Sequence, residues 1–259
     1  MQKITLKNIL PTLCKIFSVF AFFYIWYLLV RFNVMKPLMF GNLPSPLEVL
    51  AEIKILSTQT IFYQHIAYSC LRIFIGCLVA FLLAVLFGVI IGLSKLGEYL
   101  MLPIFDLLRP IPQITWIPIS ILLFPSIEGS INFITFMGAF FPILVNTIAG
   151  IRMTNPTLIQ ATVSMNASKW QQIIYVYLPS AVPHIFTGLS IGIGTSWMSL
   201  IAAEMISGKY GIGYFTWMSY NMMNYPDTII GMITIGMIGV ICFVILNQVS
   251  SRVLKYNGK

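Results

Sequence analysis

Three of the 22 charged side chains stand where charge is costly: Asp106, Arg109 and Glu204. Asp106 and Arg109 are three residues apart in a proline-rich apolar stretch, a spacing that puts them on one helix face, where they can pair. Charged groups inside an apolar segment mark a solute or ion route, or else anchor a helix end at the interface. For this pair both possibilities stay open. Glu204, near the end of another apolar stretch, either lines a pathway or reaches water at the membrane surface. His65 and His184 are solitary and are expected to be interfacial side chains rather than ligands. Cys14, Cys70, Cys77 and Cys242 form no CxxC pair and are expected to be small apolar fillers.

Catalytic chemistry has no foothold. HExxH, GxSxG and clusters of His, Cys and carboxylates are all lacking, so neither catalytic residues nor a metal site is expected. Gly192-Ile193-Gly194 lacks the strand context of a dinucleotide loop. Ser207-Gly208-Lys209-Tyr210 ends like a phosphate loop but has Ala203 where the earlier glycine belongs. No cofactor site is expected on this chain. Energised work would then draw on an ion gradient or on a separate ATPase.

The elements that must position these residues lie in lipid. Of 259 residues, 58% are apolar and 8% charged, with mean hydropathy +0.91. A soluble domain carries about 25% charged residues, so a soluble fold is excluded, and the high hydrophobicity excludes disorder. The net charge of +8 comes without any two adjacent cations. That argues for cations held on one membrane face and against nucleic acid.

Six apolar stretches are long enough to cross a bilayer, at about 15–32, 69–93, 99–124, 130–151, 183–206 and 228–249. Nothing alternates with period two, so they are helices rather than barrel strands. The expected fold is an all-α integral membrane protein of about six transmembrane helices, N-in and C-in. Ten cations then lie inside: Lys3, Lys7, Lys15, Lys95, Arg109, Arg152, Lys169, Arg252, Lys255 and Lys259. Five lie at or near the outer face: Arg31, Lys36, Lys54, Arg72 and Lys209. Residues 1–14 form a cytoplasmic segment and 15–259 one transmembrane domain. Arg31 to Lys36 offer no small-residue cleavage site, which makes the first stretch an anchor rather than a secretory peptide.

Gly76, Ala80, Ala84, Gly88 and Gly92 recur every fourth residue, a small-residue stripe that lets a second backbone approach closely. Gly188 and Gly192 repeat it in the fifth stretch. Pro103, Pro110, Pro112, Pro118 and Pro125 predict a kinked or partly unwound third span. Outside, an amphipathic stretch is expected over 47–56, and Gly208, Gly211 and Gly213 mark a turn-rich re-entry.

The cytoplasmic loop at about 152–182, between spans four and five, carries the most information. Asn155-Pro156 starts a helix with Leu158, Ala161, Thr162 and Met165 on one face. Asn166 is a left-handed C-cap. Ser168 caps a second helix with Trp170, Ile173, Ile174 and Tyr177 along its apolar side, ended by Leu178-Pro179. Two short helices with one cation suit docking better than lying on lipid, where basic residues are usual.

The run Gln160-Ala161-Thr162, Met165-Asn166-Ala167, Trp170-Gln171 and Leu178-Pro179 resembles the EAA loop of binding-protein-dependent ABC importer permeases. Leu108-Arg109 to Pro112, Trp116 to Pro118, Phe141-Pro142, Pro183 to Leu189, Ala203-Glu204-Met205 and Gly211 to Phe215 resemble its nitrate, sulfonate, taurine and bicarbonate branch. Here Gln160 replaces the usual acid, Thr162 the second alanine and Asn166 the usual glycine. The resemblance implies one permease subunit of a bacterial inner-membrane importer. It implies a second copy as partner, ATPase subunits that hold ATP and magnesium and dock on the loop, and an extracytoplasmic binding protein. It also implies a small anion as solute. The competing class is a stand-alone secondary carrier or a membrane scaffold.

Overall fold

A computed structural model describes residues 6–32 and 42–257; Lys3, Lys36 and Lys259 lie outside them. The described residues contain helices and no strand. Helix α1 covers Leu6–Arg31, α2 Pro46–Leu56, α3 Thr60–Leu93, α4 Lys95–Leu108 and α5 Ile117–Leu123. They are followed by α6 Ile127–Arg152, α7 Pro156–Ser164, α8 Lys169–Gln172, α9 Leu178–Ser207, α10 Ile212–Asn221 and α11 Tyr225–Asn257.

Four helical segments are long and apolar enough to cross a membrane: Thr60–Leu93, Ile127–Arg152, Lys169–Ser207 and Tyr225–Leu254. Of these α6 is the innermost. Its most apolar window is 72% buried, against 39% or less for the other three. Its neighbours explain why it can be enclosed. A Cβ on Gly76 would meet Thr135 at 2.6 Å, one on Gly88 would meet Thr147 at 2.6 Å, and one on Gly92 would meet Ile151 at 2.7 Å. All three pairs keep one sequence offset, so α3 and α6 run parallel in fixed register. Ala80 and Ala84 between them are fully buried. The stripe therefore works within the subunit.

Helix α9 packs on the other side of α6 in the opposite direction. Gly188 abuts Pro142, Gly192 abuts Ala139, and Ser196 abuts Gly138. Hydroxyls on these faces find acceptors inside the bundle: Thr135 donates to the Ile131 carbonyl, Thr147 to Ile143, and Ser196 to Thr135. Such closure is what lipid surroundings demand of a polar side chain.

Parallel α3 and α6 require a return crossing between them. The third stretch supplies it without being one helix. It consists of α4, a break at 109–112, a 3₁₀ turn Gln113–Trp116 and α5. Its start is tied to the end of α6 by Glu98 and Arg152, 2.9 Å apart. Its end is tied to the start of α6 by a 2.6 Å hydrogen bond between Ser120 and Ser130. The prolines thus break this span, as expected, because Pro110 and Pro112 cannot donate to a helical ladder.

The connections before α3 and after α9 also form helices. Ser45 starts α2 with a capping box: it accepts from the Glu48 amide, while Glu48 accepts from the Ser45 amide.

Candidate functional site

Two polar or bare regions stand at opposite ends of the α3–α6–α9 core. The first is the 152–182 element. Asn155 caps α7 by accepting from the Thr157 amide. The turn after α7 closes with Ala167 N–H donating to the Thr162 carbonyl and Asn166 N–H to Val163. That double bond needs a left-handed residue, and Asn166 has φ 55°. Ser168 then builds a capping box with Gln171.

From there the structure departs from expectation. Leu178-Pro179 does not end the second helix. Residues Ile173–Tyr177 form a π turn, the Leu178 amide bonds to the Ile173 carbonyl, and the chain continues as one helical segment Lys169–Ser207. The wider turn accommodates a proline that a tight α turn would reject. Tyr177 packs with Ile151, Ala181 and Ile185, which seats the element on the core. Its far side is bare: Trp170 is 74% exposed and Met165 80%, and Leu158, Val163, Ile174 and Tyr175 are exposed with them. Gln160 and Ala161 share that exposed side, whereas Thr162, Ala167, Leu178 and Pro179 are half-buried.

The second region is a buried charge knot. Glu204 is 0% exposed, which overturns the expectation that it reaches water. Arg72, expected near the outer face, is 2% exposed and bridges two carboxylates. Its Nη1 donates to Glu204 Oε1 at 2.8 Å and to the Tyr210 carbonyl at 2.7 Å. Its Nε and Nη2 donate to the two oxygens of Glu128, in the first turn of α6. Ser69 donates to Glu204 and accepts from the Ile212 amide at 2.9 Å, and Glu204 accepts from the Gly213 amide at 2.9 Å. His65 is buried rather than interfacial, and its Nδ1 accepts from the Gly211 amide at 3.1 Å. The amides of Gly211, Ile212 and Gly213 at the start of α10 are therefore held by side chains of α3 and α9.

Gly211 makes this possible. It has φ +117°, and a Cβ there would overlap the Glu204 carboxylate. The buried Arg72–Glu204 contact is tolerable in apolar surroundings only when, as here, the remaining donors and acceptors of the pair are also satisfied.

Helix spacing offered a sign of this knot. His65, Ser69 and Arg72 fall at i, i+4 and i+7 and continue directly into the Gly76 stripe. The partner Glu204 lies 132 residues away, beyond the reach of local pattern.

Asp106 and Arg109 are exposed on the α4 side of the break, and they form no ion pair with each other. Among the described residues no group of three or more His, Cys, Asp or Glu is arranged to hold a metal.

Comparison with known proteins fits this arrangement. Residues 80–257 match the family described as binding-protein-dependent transport system inner membrane component. The chain is 35% identical over 196 residues to the nitrate import permease protein NrtB of Leptolyngbya laminosa, covering 76% of this chain and 70% of that one. It is 36% identical over 182 residues to the bicarbonate transport system permease protein CmpB of Synechococcus elongatus, covering 70% and 65%. A solved structure of the MetNI methionine ABC transporter, in inward-facing conformations, superposes with TM-score 0.62 at 19% identity, covering 77% of this chain and 97% of that one. The chain belongs to the family of binding-protein-dependent ABC transporter permeases, as an integral membrane subunit built on their all-helical fold.

Proposed function

We propose that this permease carries a small planar monoanion, nitrate or bicarbonate, inward across a bacterial inner membrane. It works beside a second permease copy. ATPase subunits dock on the 152–182 element, and an extracytoplasmic binding protein delivers the solute. The observation that carries the proposal is the bare apolar face of α7 and α8, on a segment continuous with α9. An apolar patch of this kind marks a surface to be covered by a partner. The only cation within 157–182 is Lys169, too few to hold the element on lipid headgroups.

The continuity supports the mechanism. A rigid shift of α8 displaces α9 and, through Gly188 and Gly192, the central α6. Alternation between inward-open and outward-open states then follows from the ATPase favouring one position of the element over the other. ATP and magnesium belong to the partner, and this chain performs no catalysis. Gln160 leaves the docking apolar, without a carboxylate at that position.

Two relatives carry nitrate and bicarbonate in their names, and both ions are flat, singly charged oxyanions. Sulfonate or taurine is the second choice, from the resemblance of the segments around Arg109 and Glu204. Arg109, exposed beside the break with Asp106 one turn before it, is the proposed anion-attracting group.

Trp170→Asp tests the docking. The assembled complex should lose uptake and solute-stimulated ATP hydrolysis, and unchanged uptake would refute the coupling. Arg109→Gln should lower nitrate uptake severalfold without loss of assembly, measured in proteoliposomes containing all subunits.

A further inference from the structure

Arg72 uses its two edges differently. Nη1 is locked to Glu204 and the Tyr210 carbonyl, and both partners belong to the buried side of the knot. The Nε–Nη2 edge faces Glu128, whose side chain is 50% exposed. Tyr68 covers the guanidinium face at 5.5 Å and stacks on Tyr210 at 4.9 Å. The guanidinium therefore cannot follow Glu128 if that side chain turns away. Its edge stays in place, aimed at the position the carboxylate occupied.

A carboxylate on this edge is a stand-in for a flat oxyanion. Two oxygens about one carboxyl width apart accept two parallel N–H bonds, and nitrate and bicarbonate present the same pair. Exchange of one monoanion for another leaves the charge of the site unchanged, so it avoids exposing an unpaired buried cation. The tether also keeps the competing carboxylate at high local concentration, which makes a free anion bind weakly and leave readily.

The surroundings continue from this point. A groove of about 330 Å³ between α3 and α6 is bordered by Ile75, Gly76, Gly129 and Asn132 and does not include Glu128 itself. Asn132 stands one turn after Glu128, and its buried Oδ1 has no hydrogen-bond partner.

We propose that the Nε–Nη2 edge of Arg72 is an oxyanion-binding site, occupied here by Glu128 and taken over by the transported planar monoanion when Glu128 turns outward. The proposal rests on the importer reading above and assigns it a site. Glu128 is the internal competitor and Glu204 the group that positions Arg72. Arg72 differs in role from Arg109, which is free on the surface.

The test uses the permease with its ATPases in lipid nanodiscs, labelled with ¹⁵N on arginine Nε; the chain has five arginines: Arg31, Arg72, Arg109, Arg152 and Arg252. The Arg72 resonance is identified as the one displaced by Glu128→Gln. Nitrate should move that resonance in the Glu128→Gln complex at a concentration at least tenfold below that needed in the unaltered complex. Chloride at equal ionic strength should not move it. Glu128→Asp, which keeps the competitor but shortens it, should fall between the two. A resonance that ignores nitrate in all three complexes, while the unaltered importer with all its subunits in proteoliposomes still takes up nitrate or bicarbonate, overturns the site and leaves the importer intact. An equal response to chloride also overturns it, because screening would then suffice. Failure of the unaltered importer to take up any planar oxyanion would instead refute its proposed solute.

Discussion

The two ends of the core treat their side chains in opposite ways. At the Arg72 end the buried ionisable groups find partners inside the chain: Glu204 has Arg72, Ser69 and the Gly213 amide, and His65 has the Gly211 amide. At the Trp170 end large apolar groups have no cover at all. One end is closed by the subunit itself, and the other is left bare by it. A substitution at the first end should therefore act on folding, and one at the second on work done with partners.

Four substitutions probe that contrast, in falling order of their effect on stability. Glu204→Ala leaves Arg72 without its buried carboxylate and frees the start of α10. It should cost about 3–5 kcal/mol, seen as loss of the monodisperse peak after mild heating in detergent. Survival of that peak would mean the knot is not a fold determinant. Gly88→Leu drives a side chain into Thr147 where a single Cβ already comes within 2.6 Å. The expected cost is about 1–3 kcal/mol, read from the same melting profile. Ser168→Ala removes the capping box of α8 and should cost about 1 kcal/mol, showing as faster proteolysis within 165–172 and little change in global melting. Trp170→Asp should change stability by less than about 0.5 kcal/mol while abolishing coupled transport. If it melts the subunit instead, the contrast between the ends fails.

How legible each end was from sequence follows from the range of its interactions. The 152–182 element is local. Asn155, Asn166 and Ser168 cap or turn the backbone within three residues, so their roles could be read from spacing. The Gly76–Gly92 stripe announced close packing because a helix repeats it in the sequence itself. What it could not announce was the partner, α6, more than 50 residues later. The knot joins α3, α6, α9 and the α10 turn, and no local pattern links Arg72 to Glu128 or Glu204. Glu204 accordingly looked like a pathway or interface residue, and its enclosure emerged only from the fold. The helix end expected at Leu178-Pro179 failed for a different reason. Proline normally stops a helix, but a π turn just before it changes the ladder so that the backbone passes through.

That π turn also sets an angle. Gly188 stands 18 residues after Trp170, which in an ideal α-helix is about five whole turns. With uninterrupted winding the indole would project from the same side as Gly188, the side pressed against α6. The loosened winding at Ile173–Tyr177 swings the indole azimuthally away from that neighbour. Winding that stretch as plain α-helix at unchanged length should re-index the indole toward the bundle and withdraw it from whatever approaches along the membrane's edge, whereas removing one residue there should leave its direction nearly as it is.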